Sequence, residues 1–567
     1  MVPDAPIDGK LPSVKPEDRS GDFTFSRGSN LAATRINKDG LIEKGRENLL
    51  LQSNQFDNVA WTIFGPGTLT SGQVGYDGNN NAWLLDKSAA STYIVQSTTL
   101  SSINTFSVYA KAGTNTHLAF WIRNANKGKF FDLVNGTIGS DYINTPIDAK
   151  IESVGNGWYR CSVTTDDATN NCRIYPADGD GDVSGTSGSI YIQDAQLEQG
   201  LVATEYIETT TAAVQKGILE NLPRIDYSSD VSCPLLLLEP QRTNTIADSE
   251  YFGSWTKLGA QNVVLNEAVS LDGSLNAALL TRTSANGSLE KSAALTIGSA
   301  NTFSIFAKAE STSLIGIVLT SGIPITNCVF DLSTQTVSVQ LGTPDAYGIE
   351  DYGNGWYRCY ITDVATGASA TCRISSGGYG TGGVYIYGAQ MEAGAYPTSY
   401  IPTYGSSVTR GEDDMSVSSL QSNNIVEATD SYTIFFDISN DDGGSTAQAG
   451  NSQWLKGANS TLGNIWTLRK NDSTNQKEHS LYFNQGTEFV FTNEDIDKAC
   501  FVFTSNQIKI FINGSVITTY NASVSPLDLN GLIVTYGSAN RTSIVFSQLL
   551  LFPTALTDDE CIALTTI

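Results

Sequence analysis

The sequence predicts an all-β protein built from tandem β-sandwiches, and three observations carry that prediction. Charged residues make up only 16% of the 567, while 52 Gly, 24 Tyr, 22 Phe and 8 Trp supply turn formers and large apolar side chains, a composition unlike a coiled coil or a disordered chain. Short runs of alternating apolar and polar residues are broken by Gly, Asn and Asp, the pattern of strands joined by tight turns. Long stretches also recur within the chain, so the architecture is a repeated one.

The duplication sets the boundaries. NTFSVYAKA at Asn104 to Ala112 returns as NTFSIFAKA at Asn301 to Ala309, and GNGWYRC at Gly155 to Cys161 returns at Gly353 to Cys359. Ahead of these, Asn48, Ser53, Phe56 and Trp61 are matched by Asn244, Ser249, Phe252 and Trp255. Behind them, YIQDAQLEQG from Tyr191 is echoed by YIYGAQMEAG from Tyr385, and each copy closes on Thr-x-Tyr-Ile, at Thr204 to Ile207 and Thr398 to Ile401. The expected organisation is an N-terminal attachment or cap segment at 1–44, module 1 at 45–210, a connector at 211–240, module 2 at 241–405, a linker at 406–425 and a third β-unit at 426–567. DGLIE at Asp39 resembles KGILE at Lys216, so the N-terminal segment and the connector are expected to share one small cap split by module 1. The third unit rests on alternation in Tyr432 to Ile438 and on a strand pair, Phe501 to Phe503 and Ile508 to Ile512, that ends in Asn513-Gly514.

Charge and rare residues exclude several function classes. A formal charge of −25 repels polyanions, so nucleic acid is not an expected partner. No run reaches the ~18 apolar residues of a membrane span, and the opening residues, with Pro3, Pro6, Pro12 and Pro16, lack the features of a signal peptide. With only His117 and His479, and no Cys-x-x-Cys among the 8 cysteines, zinc sites and His-dependent triads have almost no raw material. The cysteines, at 161, 172, 233, 328, 359, 372, 500 and 561, are expected to be reduced and core-packed. Cys161 and Cys172 look like one hairpin, which also leaves a cross-strand disulfide open.

Taken together, the Asn, Ser, Phe and Trp spacing, the FSVYAKA strand, GNGWYRC and the AQLEQG to TEYI ending resemble the jelly-roll carbohydrate-binding modules, of the family 4/9 type, that recur in bacteriophage virion proteins. The third unit resembles concanavalin A-like, laminin G-type domains through Ile512-Asn513-Gly514 and LLLFPTALTDDE at Leu549 to Glu560. FSRGSNLAATRINKDGLIE from Phe25, together with Asn221 to Tyr227 and Cys233 to Asn244, resembles tail-associated phage proteins. The resemblance implies tandem jelly-roll β-sandwiches plus a C-terminal concanavalin A-like β-sandwich. It implies a non-enzymatic virion component, a tail fibre, spike or tail-associated protein, assembled in the host cytoplasm without a signal peptide. Such a protein would bind host cell-surface polysaccharide, contact other virion proteins and act as a homo-oligomer. The alternative is a structural spacer or a capsid or head decoration protein without a specific ligand. The C-terminal unit lacks the Glu-x-Asp-x-x-Glu strand of laminarinase-like relatives, and Asp558-Asp559-Glu560 looks like the start of a final helix, so no enzyme is expected.

Subtracting one copy from the other separates scaffold from candidate function. In His117 to Arg123, Leu118, Phe120 and Ile122 share a face with apolar counterparts at Ile315, Ile317 and Leu319, which marks it as core. The opposite face carries Trp121 and Arg123 in module 1 against Val318 and Thr320 in module 2. By the same parity Arg173 and Tyr175 face outward, as do Trp158 and Arg160, and module 2 puts Ser375 in place of Tyr175. If these strands adjoin on one sheet, the six residues form a ring-and-guanidinium platform suited to a glycan, since sugar C–H faces stack on aromatics and hydroxyls accept from arginine. Trp158 and Arg160 recur as Trp356 and Arg358, which favours a structural role for them, so the platform rests most on Trp121 and Tyr175. Modules of this kind often hold a structural Ca²⁺, which the resemblance places at Asp57 and Asp194, with Gly253 and Gly388 leaving module 2 without one. Two unrelated surface changes would produce the same pattern.

Overall fold

The computed structural model describes residues 10–11, 22–98, 103–123, 125–166, 171–228, 234–378, 380–427, 431–440, 451–459, 464–471, 478–483, 488–492, 496–521, 528–534 and 544–566. The fold is all-β, with one short α-helix and one 3-10 turn among these residues.

Module 1 is a sandwich of two six-stranded antiparallel sheets. The first runs, in spatial order, Asp148–Gly155, Trp158–Thr165, Asn104–Ala112, Gly188–Gln199, Ala82–Lys87, Gly67–Gln73; the second runs Thr137–Asp141, Lys127–Asp132, His117–Ile122, Cys172–Ala177, Tyr93–Gln96, Thr62–Phe64. Leu85, Phe106, Val108, Leu118, Phe120, Ile122, Ile174 and Ile192 fill the space between them, each fully buried, so the inward parity expected from alternation holds. Cys161 and Cys172 lie on opposite sheets rather than on one hairpin. All seven described cysteines are buried free thiols, and Cys233 lies outside the described residues.

Module 2 has the same strand order with one difference. Leu275–Ala294 runs unbroken through both layers, pairing with Gly382–Ala393 at one end and Ser369–Ser376 at the other, where module 1 uses two strands, Ala82–Lys87 and Tyr93–Gln96. Its partner Thr256–Val269 is likewise continuous. In module 1 the counterpart of that partner is interrupted at Gly65-Pro66, where proline removes a ladder donor.

The expected domain boundaries need correction at the joints. The N-terminal segment, the connector and the linker each contribute strands to the C-terminal sandwich. Phe23–Ser26 pairs with Asp414–Val417, which pairs with Gly531–Val534 in one sheet. Arg224–Asp226 and Leu235–Leu238 join Ile544–Phe552 in the other. Phe25, Leu236, Leu238, Met415 and Val417 enter the same core as Tyr432, Trp466, Phe501 and Phe503. Both jelly rolls are therefore insertions into one sandwich whose strands come from four separated stretches of chain. Each insertion is zipped at its base by a short antiparallel pair, Arg46–Asn48 with Val214–Lys216 and Arg242–Asn244 with Val408–Arg410. The helix Asp558–Thr565 starts at a capping box in which Thr557 and Glu560 satisfy each other's backbone N–H, as the acidic run there predicted.

Where these segments meet, a buried ion network holds them. Glu239 accepts from Arg224 at 2.6 Å and lies 2.9 Å from Arg410, while Asp413 pairs with Arg27 at 3.2 Å and with Arg224. Burial pushes the Glu239 carboxyl up, but Arg410 and Arg224 outweigh it and hold the group well below the usual carboxylate range.

Candidate functional site

The six platform residues do not share one surface. Trp121, Arg123, Arg173 and Tyr175 belong to the second sheet of module 1 or its edge, whereas Trp158 and Arg160 belong to the first, on the far side of the sandwich. Strand adjacency, which alternation cannot reveal, decides this. Trp158 is 1% exposed and packs near Tyr76 and Tyr191. Arg160 donates to Ser107 at 3.1 Å and lies over the Tyr109 ring, as Arg358 donates to Ser304 and lies over Phe306. This recurrence marks the duplicated Trp-x-Arg pair as scaffold.

On the second sheet the remaining residues join an aromatic belt that crosses four strands. Phe64 stacks on Tyr93 with centroids 5.0 Å apart, Tyr93 meets Tyr175 at 4.7 Å, and Tyr142 bridges Tyr175 and Trp121 at 5.6 Å each. The Arg173 guanidinium is held between two rings, 4.4 Å from the Tyr93 centroid and 4.3 Å from that of Trp121, close enough for cation–π attraction on both faces. Trp121 and Arg173 are direct cross-strand partners, which brings them together.

Facing outward is not the same as being open. Tyr175 is 1% exposed because Tyr142 folds over it from the loop after Thr137–Asp141, and Arg173 is 5% exposed. The belt reaches solvent at its ends: Phe64 is 61% exposed, Trp121 half-buried and Arg123 exposed. The Trp121 Nε1 and Arg173 Nε atoms are buried and have no hydrogen-bond partner among the described residues. Registering the two modules strand by strand sets Phe64, Tyr93, Trp121 and Tyr175 against Leu258, Ser288, Val318 and Ser375. Module 2 keeps the arginine as Arg373, but there Glu290 neutralises it at 2.7 Å. Phe64, Tyr93 and Tyr142 were missed in the sequence. The same subtraction of copies would have found the first two; Tyr142 sits in a loop whose path no local pattern fixes.

The two expected metal ligands differ in burial. Asp57 is exposed. Asp194 is 6% exposed, accepts from Tyr76 Oη at 2.9 Å and uses its backbone N–H to reach Asn54 at 3.2 Å. Burial pushes its carboxyl up to about 6; hydrogen bonds from Tyr76 and Tyr206 oppose the shift and the negative charges of Asp77 and Glu208 add to it. No ion pair to Asp194 occurs among the described residues, nor does any group of three or more His, Cys, Asp or Glu placed to hold a metal. Asp77, in the loop Asp77–Ala82 that module 2 repeats as Asp272–Ala277, was missed, although Asp-Gly-x-x-Asn-Ala is legible in both copies.

No protein-family model and no curated protein sequence matches this chain. Among solved structures, similarity is found to a botulinum neurotoxin type C structure whose cell entry is described as dependent upon interaction with two ganglioside molecules, at 14% identity and a TM-score of 0.23 over 27% of this chain and 40% of that one. The chain thus spans less than half the length of that relative. The CBM22-1-CBM22-2 tandem domain of Paenibacillus barcinonensis Xyn10C matches at 10% identity and a TM-score of 0.19, over 65% of this chain and 99% of that one. The tandem CBM51 modules of Sp3GH98 from Streptococcus pneumoniae match at 9% and 0.15, over 65% and 99%. Likenesses this distant carry no argument about what the chain binds.

Proposed function

We propose that module 1 is a saccharide-binding module whose ligand stacks on the open ends of the aromatic belt, at Phe64 and Trp121, with Arg123 donating to its hydroxyls. The observation that carries this reading is the belt itself: module 1 has four rings where module 2, on the same backbone, has Leu258, Ser288, Val318 and Ser375. Aromatic faces and charge-assisted donors are what a glycan needs. The setting we propose, from the sequence resemblance, is a bacteriophage virion in which several copies gain by avidity from weak single sites on host-surface polysaccharide. Binding without cleavage is part of the proposal. A glycan array probed with the full chain should give hits that Trp121→Ala and Phe64→Ala each weaken roughly tenfold or more, about 1.4 kcal/mol, with no reducing ends released from the bound polysaccharide. Unchanged binding by Trp121→Ala would sink the reading.

The buried network at Glu239 favours a second reading, a rigid spacer or decoration protein without a ligand, because it locks the sandwich joint. Silence of the assembled chain across the array is its expected outcome.

Module 1 is also proposed to hold one Ca²⁺. The residues that fit are Asp194, Asp77 and the side-chain oxygen of Asn54, hard oxygen donors around a buried carboxylate without a cationic partner. Calcium at a hundredfold excess over Kd should add about 2.7 kcal/mol of stability, read as a rise in Tm that Asp194→Ala abolishes.

A further inference from the structure

Module 2 carries two buried carboxylates with an ammonium against both. Lys44, at the end of the N-terminal strand Ile42–Lys44, places Nζ 2.9 Å from Glu250 Oε1 and 2.5 Å from Asp272 Oδ2, and donates to Tyr404 Oη at 3.4 Å. The Glu250 side chain is 1% exposed and that of Asp272 5%. Tyr387 Oη lies 3.1 Å from an oxygen of each carboxylate with one proton to share between them, and Tyr400 donates to Glu250 at the same distance. Asn276 donates from Nδ2 to Asp272, while its Oδ1, in a residue 2% exposed, is buried without a hydrogen-bond partner among the described residues. A cavity of about 620 Å³, lined by Lys44, Glu250, Asp272, Asn276 and Tyr404, opens beside the group.

The same place in module 1 has been rebuilt in mirror fashion. Asp272 corresponds to Asp77 and Asn276 to Asn81, but Glu250 stands where module 1 has Asn54, and Gly388 where it has Asp194. Each module therefore keeps two carboxylates around this loop while moving one of them. The N-terminal strand lies against module 2, where Ile42 bonds Leu271 through its N–H and packs with Phe306, Tyr387 and Tyr400.

We infer that Glu250, Asp272 and the Asn276 side-chain oxygen form a divalent-cation type of site whose resident occupant is the Lys44 ammonium. Two carboxylates taken out of water repel each other and require a cation. An ammonium supplies charge and three donors on a four-carbon stem, and an all-oxygen donor set is equally the kind that takes Ca²⁺. Because the lysine is part of the chain, the occupant cannot be chelated or diluted away, and module 2 depends on the N-terminal strand where module 1 draws on solution.

The test uses the full-length chain carrying Asp194→Asn, so that module 1 does not report, and Ca²⁺ as the probe, followed by calorimetric titration and by Tm. With Lys44 present, no calcium uptake is expected. Lys44→Ala should bind one Ca²⁺ with a Kd of roughly 10⁻⁴ to 10⁻³ M, should melt earlier in chelator and recover in calcium, and should lose the uptake when Glu250→Gln is added. A folded Lys44→Ala chain that binds no calcium, equal uptake with and without the substitution, or an unfolded chain that calcium does not restore would each overturn the inference.

Discussion

Asp194 sits at φ 51°, a left-handed position that module 2 gives to Gly388 at φ 58°. A side chain there costs about 1–2 kcal/mol, and such positions cluster where function requires them. Its raised pKa adds a second liability. With a folded-state pKa of about 6 against an ordinary 3.8, the native state favours the protonated acid, so the penalty is absent below pH ~4 and fully present above pH ~6. The shift amounts to at most about 3 kcal/mol. In chelator, Asp194→Asn should therefore match the parent at pH 4 and exceed it in urea stability by up to that amount at pH 8; a pH-independent difference would refute the assignment. At this scale the residues legible in the sequence were the duplicated ones. Asn48 and Asn244 each donate to two carbonyls that tie the last strand to the closing segment, and Glu198 and Glu392 each cap the Thr of Thr-x-Tyr-Ile. Asp77 was overlooked because its value depends on Asp194, far away in sequence.

Single strands were legible because alternation is local; their neighbours were not. Parity placed Leu118, Phe120 and Ile122 inside and Trp121 outside correctly. Yet Trp158 and Trp121 obey the same parity on sheets that face opposite ways, and only the pairing order separates them. Loop cover is the other hidden variable. Tyr142 touches Trp121, Phe130 and Tyr175, so one loop residue turns an exposed sheet face into a buried cluster and leaves only the belt's ends open. Tyr142→Ala should cost about 1–3 kcal/mol, from lost ring contacts and the space left behind, and should raise the fluorescence sensitivity of Trp121 to quenchers. An unchanged quenching constant would mean that the loop does not shield the belt.

The order of the whole molecule was least legible, because the strands that join its parts are three or four residues long and look like linkers. Their apolar residues show their destination: Phe25, Leu236, Leu238, Met415 and Val417 are buried in the C-terminal core. Burying such a side chain is worth about 1.5–3 kcal/mol, so the five together match the ~5–15 kcal/mol by which a whole domain is stable. Cutting before residue 426 removes all of them, along with the strands that shield Gly531–Val534 and Ile544–Phe552. It also removes Arg27, Arg224, Glu239, Arg410 and Asp413 together, so no buried charge is left behind to confuse the result. A chain of residues 426–567 is therefore expected to show no cooperative urea transition and to bind hydrophobic dye. A chain of residues 45–217, which keeps its own two sheets and the Arg46–Asn48 to Val214–Lys216 zip, should melt cooperatively. A cooperative transition from 426–567 alone would mean that the inserted strands decorate that sandwich rather than complete it.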